Sequence, residues 1–432
     1  MRVRTLARVG ALIAGLALAA PALAQTPAPA IDHGDTAWML SATALVLFMT
    51  LPGLALFYAG LVRSKNVLSV MTHCVAIACL ASVLWLLLGY SLSFSGSNRL
   101  IGDLAKFGLV AVVRDAQIGV LPESVFFAFQ MAFAIITPAL IVGAFVERIK
   151  FSAVLMFSGL WLIVVYAPVC HWVWGGGWLA GLHVMDFAGG LVVHATAGVS
   201  ALLLAWRLGP RDGFPRELSP PPNPGLTMMG ASMLWVGWYG FNAGSALAAD
   251  ANAGAALIAT HLSAATAGLV WAVIEWKRFG RPSMVGLVTG VVAGLATVTP
   301  ASGFVGPLGG VVLGAVGSLV CYQAVDFVKH RMKVDDSLDV FAVHGVGGIL
   351  GTLLVAVLAS PLMGGAGYAD GVNMGSQAVT QVIGVLAVCA WSGIATLGLV
   401  FVTRRMVGLR AGDDAVDEGL DMSAHGERAY NP

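Results

Sequence analysis

Two histidines, His194 and His344, fall inside long apolar stretches of the sequence. A histidine at membrane depth is costly unless its ring is paired or lines a cavity. One such residue is more often an interhelical hydrogen-bonding group, but one in each half of the chain favours a shared path. Because imidazole both donates and accepts hydrogen bonds, the two rings could pass a small polar solute or a proton.

Aromatic residues form a second set that could bind a ligand. The spacing i, i+3, i+7 aligns Phe126, Phe129 and Phe133 on one stripe, and Trp238, Phe241 and Ser245 on another. Ordinary core packing explains most stripes of this kind. A ring face beside a hydroxyl, however, can hold a small, partly dehydrated cation. The sequence supplies no ring of carboxylates for a conducting ion, so a pore below such a site should favour a neutral species.

The elements that position these residues must lie in lipid. The chain of 432 residues is 58% hydrophobic and only 10% charged, whereas a soluble protein carries about 25% charged residues. Its formal net charge of +1 gives no basic surface for nucleic acid. The 54 glycines suit closely packed transmembrane helices. The five cysteines show no metal-type spacing. We therefore expect no metal, no cofactor and no enzymatic activity.

The first 24 residues are expected to be a signal peptide. Arg2, Arg4 and Arg8 precede a short apolar run that ends in Ala22-Leu-Ala24, a small-x-small cleavage site. The run is too short to cross a bilayer. Its removal would leave the N-terminus outside.

Eleven later stretches are long and apolar enough to cross a membrane. They are 38–62, 68–92, 122–145, 151–169, 186–206, 225–245, 253–275, 283–301, 308–327, 339–360 and 378–403. Seventeen lysines and arginines fall on the side that this count places inside, against three outside. The sequence predicts an all-α polytopic membrane protein, with a membrane domain at 25–407 and a cytoplasmic tail at 408–432.

Five crossings turn the chain over, so helices six to ten would run inverted relative to helices one to five. Short sequence similarities between the two halves favour this arrangement. Asp186 and Asp339 each precede a histidine, and Thr137-Pro138 matches Thr299-Pro300. Such short matches also arise by chance. The eleventh helix has no repeat partner.

Several separated motifs give the sequence a specific resemblance. They are ALFYAGL (55–61), GAFVERIKFSA (143–153), WGGG (174–177), DFAGG (186–190), GWYGFNAGS (237–245), VTPA (298–301), DVFAVHG (339–345), EGLD (418–421) and HGE (425–427). With these motifs in this order, the chain from about residue 36 onward resembles the ammonium transporter family, bacterial type. The resemblance implies eleven helices in a five-plus-five inverted repeat, a homotrimer with one pore per subunit, and a location in the bacterial inner membrane.

The resemblance also implies roles for particular residues. Ammonium would be recruited at an outer site of Phe133, Trp174, Ser245 and Asp186, where Asp186 is also a natural helix cap. Phe133 and Phe241 would form the gate, and the pore below would be lined by His194, His344, Trp238 and Thr299. The ion would lose its proton and cross as ammonia. Net movement of ammonia alone and of ammonia with a separately relayed proton are both compatible with these residues.

The tail and the inner loops resemble surfaces that accept a trimeric PII-type signalling protein. His73 and His261 match no pore position, and we interpret them as packing groups. Three alternatives differ in kind: a bis-histidine membrane cytochrome, an ammonium sensor acting through a partner, and a urea or carbon dioxide channel.

Overall fold

Apolar helices account for most of the chain. The computed structural model describes residues 29–216 and 220–430. Residues from Asp32 onward belong to one unit. The predicted signal peptide lies outside the described residues.

Eleven helices occupy the positions of the eleven apolar stretches. They are α1 His33–Ala59, α2 Ser64–Phe94, α3 Glu123–Phe145, α4 Phe151–Val173, α5 Gly190–Leu208, α6 Pro224–Gly244, α7 Ala251–Phe279, α8 Met284–Val298, α9 Pro307–Met332, α10 Phe341–Leu358 and α11 Met374–Met406. Within the described ranges, nine are long and apolar enough to cross a membrane alone, and α6 and α8 are the other two. The predicted all-α polytopic membrane fold is confirmed.

Shorter elements lie between and after these helices. The strands β1 Gln117–Ile118 and β2 Leu121–Pro122 pair antiparallel, with Ile118 opposite Leu121, just before α3. Single 3₁₀ turns form at Phe107–Leu109, Ala180–Leu182 and Pro361–Met363. Two short helices, α12 Asp413–Glu418 and α13 Leu420–His425, form in the tail.

The starts of α5 and α10 are alike, as expected of a repeat. Both carboxylate oxygens of Asp186 accept backbone N–H groups in the first turn of α5, including those of Leu191 at 2.8 Å and Val192 at 3.1 Å. Asp336 accepts the N–H of Phe341 at 2.6 Å. Each aspartate lies eight residues before a histidine, His194 or His344. Each helix also begins in a wide, π-type turn that contains its histidine.

The structure therefore shifts the alignment of the two repeats by three residues from the one that the sequence predicted. The residue equivalent to Asp186 is Asp336, and pairing Asp186 with Asp339 was wrong. Asp339 instead corresponds to Gly189, because both have positive φ, 60° and 117° respectively. A shared left-handed backbone position identifies the match better than the residue type does.

Two glycines allow α5 and α10 to cross closely. Gly198 and Gly348 each lie four residues after a histidine. A Cβ on Gly198 would overlap the Cα of Gly345, and one on Gly348 would lie 2.7 Å from the carbonyl oxygen of Gly190. The backbones of the two helices are thus in direct contact next to the histidines.

Charged residues tie the loops at one end of the bundle together. Arg63 Nε donates to Glu147 Oε2 at 2.6 Å, and Arg211 makes two bonds of 2.9 Å to Asp335. The guanidinium of Arg148 is fully buried and donates to the carbonyl of Asp335 at 2.7 Å. Loops that are distant in sequence are held in one arrangement.

The tail packs against the same end. Asp421 accepts the backbone N–H groups of Leu68 at 3.0 Å and Ser69 at 2.7 Å, where α2 begins. The N–H of Leu420 donates to Asn66 Oδ1 at 2.8 Å. A carboxylate at free N–H groups is a favourable helix cap, so the tail stabilises the start of α2.

Candidate functional site

A cavity of about 290 Å³ opens at one end of the bundle. Phe133, Trp174 and Ser245 all line it. The ring of Phe133 meets that of Trp174 edge-on, with centroids 5.7 Å apart. The hydroxyl of Ser245 donates to the carbonyl of Phe241 at 2.9 Å, which leaves its oxygen able to accept. The structure therefore brings together three of the four residues expected to recruit a cation. We call this space the outer cavity.

Asp186, the fourth residue, lies beside the outer cavity. Its carbonyl accepts Trp174 Nε1 at 2.9 Å, but its carboxylate is directed at the N–H groups of α5. Burial raises the pKa of Asp186, and the bonds from four backbone N–H groups oppose that shift. The helix-cap interpretation therefore fits the geometry directly. Any effect of this carboxylate on a cation acts through space and through the position of Trp174.

Two phenylalanines close the floor of the outer cavity. Phe133 and Phe241 stack with centroids 4.3 Å apart and planes 28° apart, and each is 1% exposed. Phe129 packs edge-on against Phe133 at 5.0 Å. No passage is open between the two rings in this arrangement, because stacked rings at this distance are in contact.

The two histidines lie directly beyond the phenylalanines. The ring of His194 is 6.1 Å from that of Phe241 and 5.2 Å from that of His344, and the imidazole planes differ by 24°. Both residues are buried, at 1% and 4% exposure. Phe133, Phe241, His194 and His344 thus form one continuous column of rings.

Trp238 packs against one side of this column and is held there by Thr299. The ring of Trp238 stacks at 5.5 Å on that of His194. Its Nε1 donates to Thr299 Oγ1 at 2.9 Å, and that hydroxyl donates to the carbonyl of Leu295 at 2.8 Å. Trp238 therefore holds the His194 ring in place, and Thr299 holds Trp238.

The histidine nitrogens lack partners within the described part of the chain. Both ring nitrogens of His194 and Nδ1 of His344 are buried without a hydrogen bond. Each buried unpaired polar group costs about 1–3 kcal/mol. Such groups in a native protein are usually satisfied by something that visits or occupies the site. The arrangement suits a small solute that can donate and accept hydrogen bonds.

A second cavity, of about 240 Å³, lies on the far side of the column. His344 lines it together with Tyr58, Glu147 and Asp339. Lys329 Nζ contacts Asp339 Oδ2 at 2.7 Å. We call this space the inner cavity. A column of buried rings, polar only at its histidine nitrogens, thus separates two wider spaces, one aromatic and one charged.

Some lining residues were missed by the sequence reasoning. Gln130 lines the outer cavity and is 7% exposed; its position among the Phe126, Phe129 and Phe133 stripe was a usable signal, since a buried amide needs a partner. Tyr58 gave no comparable signal, because its place beside His344 depends on contacts distant in sequence.

His73 and His261 lie apart from the column. His73 packs parallel to Phe151 at 5.8 Å and lies 6.4 Å from His425 of the tail. His261 Nδ1 bonds the hydroxyl of Tyr239 at 2.7 Å on an exposed face. Neither residue lines the outer or the inner cavity.

A helical membrane bundle with two opposed cavities, separated by a closed column of rings, is the architecture of a membrane transport protein. The sequence comparison specifies the class. A sequence model of the Ammonium Transporter Family matches residues 37–430, and the chain belongs to that family.

Relatives align along nearly the whole chain. The putative ammonium transporter of Methanothermobacter thermautotrophicus is 44% identical over 407 residues, covering 93% of this chain and 99% of the relative. The ammonium transporter of Aquifex aeolicus is 43% identical, with 93% and 94% coverage. The ammonium transporter of Bacillus subtilis is 42% identical, with 93% and 99% coverage.

Solved structures share the fold. A Sensor Amt Protein superposes with a TM-score of 0.84 at 29% identity, covering 91% of this chain and 98% of the other. Mep2 from Candida albicans superposes with a TM-score of 0.82 at 36% identity, with 89% and 87% coverage. The resemblance noted from the motifs is confirmed.

Proposed function

We propose that this protein moves ammonium across the membrane by binding the ion in the outer cavity, removing its proton and passing ammonia along the ring column. The observation that carries the proposal is the buried pair His194 and His344, 5.2 Å apart and directly behind the stacked pair Phe133 and Phe241. Unpaired imidazole nitrogens in an otherwise apolar passage suit ammonia, which both donates and accepts hydrogen bonds.

The outer cavity supplies the recruiting step. Faces of Phe133 and Trp174 attract a cation with about 0.5–2 kcal/mol as its water is removed. The hydroxyl oxygen of Ser245 accepts a hydrogen bond from the ion, and the negative charge of Asp186 favours its approach. Gln130 adds a further carbonyl oxygen at the cavity wall.

Desolvation provides the selectivity. Carrying an intact ion into a low-dielectric passage costs on the order of 10 kcal/mol or more. Ammonium avoids this cost by leaving its proton behind, and potassium has no proton to lose. His194 and His344 then hydrogen-bond ammonia and offer a route for the released proton. Trp238 and Thr299 keep the first imidazole in position.

The proposed assembly is a homotrimer in the bacterial inner membrane, with the N-terminus outside and the tail in the cytoplasm. The pair Tyr239 and His261 supports association of copies. It joins Tyr239 of α6 to His261 of α7, and His261 is exposed within the span of α7. Polar groups facing lipid at this depth are costly, and a second copy would cover them. We propose no catalysed covalent reaction, no cofactor and no nucleic-acid partner.

The proposed regulatory partner is a PII-type signalling protein that binds the tail and the inner loops. The ordered contacts of α13 with the start of α2 support a defined docking surface. Co-elution of the purified protein with a PII protein and its nucleotide tests this, and separate elution would count against it.

Transport itself is tested in proteoliposomes. Uptake of labelled methylammonium should be competed by ammonium and unaffected by urea or potassium at the same concentration. Competition by urea, or equal permeation of potassium, would contradict the proposal. Empty liposomes provide the background.

A further inference from the structure

His171 lies in the last turn of α4, shortly before Trp174, and its side chain is buried. Its ring Nδ1 is 3.0 Å from the carbonyl oxygen of Ser93, and its Nε2 is 2.6 Å from that of Asn98. Both partners belong to residues 93–100, which end α2 and begin the loop after it; we call this stretch the clamped segment. Both ring nitrogens therefore face oxygen atoms that can only accept hydrogen bonds.

A neutral imidazole cannot satisfy both carbonyl groups. It carries one ring proton, so its other nitrogen would direct a lone pair at a carbonyl oxygen only 2.6 or 3.0 Å away. Turning the ring over would place carbon atoms at both positions, and the two carbonyl groups would lose the donors they have now. A doubly protonated ring donates to both oxygens, and bonds from a charged donor are stronger than neutral ones. The geometry therefore favours the charged form of His171.

Dipoles surround this charge in place of a carboxylate. Among the residues that the structure describes, no carboxylate oxygen lies within 4 Å of either ring nitrogen of His171. Asp103 and Asp186 are the acidic residues of the adjoining segments, and both already accept hydrogen bonds from backbone N–H groups. Arg99 is the basic residue of the clamped segment, and Cys170 is the titratable neighbour on α4. The last turn of a helix, with its free carbonyl groups, stabilises a cation there.

We propose that His171 is a positioning residue for recruitment of the cation: its doubly protonated ring clamps residues 93–100 to the end of α4 and thereby fixes the wall of the outer cavity. Phe94 of the clamped segment and Trp174 at the end of α4 both line that cavity. The clamp thus joins the two stretches of chain that carry them. The inference rests on the proposed function, because the position of Trp174 matters for transport only if the outer cavity receives the ion.

Trp172 supplies a neutral anchor to the same segment. Its Nε1 donates to the carbonyl of Leu100 at 2.6 Å. That bond holds the end of the clamped segment, whereas His171 holds its start at Ser93 and its middle at Asn98. Loss of the charged ring should therefore loosen the first part of the segment, which carries the cavity-lining phenylalanine, while its end stays attached.

Nitrogen-15 NMR of the purified protein in lipid bilayers, with labelled histidine, tests the protonation state at about pH 8. A free histidine is mostly neutral there, because its ordinary pKa is about 6.5. Labelled asparagine carbonyl carbons identify His171, since its Nε2 is 2.6 Å from the oxygen of Asn98. Both ring nitrogens should carry a directly bonded hydrogen. One nitrogen without a hydrogen would overturn the proposal, and this measurement needs neither a variant nor transport.

His171→Gln tests the positioning role in transport. Glutamine is neutral and has one nitrogen where the imidazole has two. The KM for methylammonium uptake into proteoliposomes should rise about three- to tenfold, which corresponds to the loss of one net hydrogen bond. The maximal uptake rate should stay within about twofold of wild type, because the ring column is unchanged. An unchanged KM, or a fall in the maximal rate alone, would overturn the positioning role.

His183→Gln is the matched control. His183 is an exposed histidine in the loop before α5. Its replacement should keep the wild-type KM, and cooperative thermal unfolding in detergent shows that both variants are folded. If the wild-type protein takes up no methylammonium, the proposed function fails, while the NMR result still decides the protonation of His171.

Discussion

His194 and His344 lie in corresponding π-type turns of α5 and α10, with their ring centroids 5.2 Å apart. The inverted repeat brings each ring to the same column from an opposite direction. Neither histidine alone would span the distance between the Phe133–Phe241 pair and the inner cavity. The passage thus needs one residue from each half.

Replacing His194 by alanine should weaken discrimination between ammonium and potassium. Loss of one imidazole hydrogen-bonding group, worth about 0.5–1.5 kcal/mol, corresponds to up to about tenfold in the transport ratio. Potassium and methylammonium uptake into proteoliposomes would be measured side by side. His33→Gln alters an exposed histidine at the start of α1, outside the column, and should keep the wild-type ratio. Unchanged selectivity in His194→Ala would refute the role of the imidazole.

Gly198→Ala should disturb the contact between α5 and α10. An added methyl group would overlap the backbone at Gly345, and overpacking of this kind costs about 1–3 kcal/mol. We expect a lower thermal midpoint in detergent and reduced uptake. Gly254→Ala is the control, because a Cβ there meets nothing within 4 Å and alanine favours a helix. Equal behaviour of the two variants would show that the close approach is unimportant.

Asp186→Asn tests whether the cap at α5 also serves transport. Asparagine keeps one acceptor oxygen but loses the charge and half of the N–H bonds, and each buried N–H group left unpaired costs about 1–3 kcal/mol. Asp250→Asn changes a second cap, which accepts the N–H of Ala253 at 2.9 Å at the start of α7. Both variants should be somewhat less stable, but only Asp186→Asn should lose methylammonium uptake. If uptake falls equally in both, the carboxylate at position 186 has no special role.

The pH dependence of the protein's stability should show the raised pKa of Asp336. Burial, reinforced by the charge of Asp339, raises the pKa of Asp336 to about 7. The folded protein therefore holds this proton more tightly than the unfolded chain. The resulting stabilisation is complete below the ordinary pKa of about 3.9 and is lost as the pH rises through 7. Asp336→Asn removes this term, so its thermal midpoint should rise relative to wild type between pH 5 and pH 8.

Asp335→Asn is the control for that measurement. Burial raises the pKa of Asp335, but the hydrogen bond from Arg211 and the nearby charge of Arg148 outweigh it, and the net shift is downward. Its stabilisation is present above the ordinary pKa and is lost only as the pH falls through the lowered value. The difference between Asp335→Asn and wild type should therefore stay constant from pH 5 to pH 8. A sloping difference here, or a flat one for Asp336→Asn, would contradict the assignment.

Hydropathy and motif order predicted the helices and the main residues of the column. Apolar length alone is enough to locate spans, because lipid requires every backbone group to be paired within the helix. The neighbourhood of Phe133, Trp174 and Ser245 followed from the family resemblance. It did not follow from spacing, since Trp174 lies outside both stripes.

Other features depend on backbone geometry and distant contacts. The sequence predicted Asp339 as the equivalent of Asp186 in the second repeat, because both precede an apolar helix. The true equivalent, Asp336, is identified by its hydrogen bond from the N–H of Phe341. The capping of α2 by Asp421 joins residues more than 350 positions apart. Local sequence carries no signal for such a contact.

Contact between the main chains at Gly198 and Gly348 leaves no layer of side chains between α5 and α10. Side-chain rotamer changes between α5 and α10 therefore cannot widen the passage beside the histidines. Its diameter depends on how the two repeats are placed relative to each other. Adjustment by single side chains is confined to the phenylalanine pair nearer the outer cavity. The backbone therefore sets the width of the passage beside the histidines, and the Phe133 and Phe241 side chains set it next to the outer cavity.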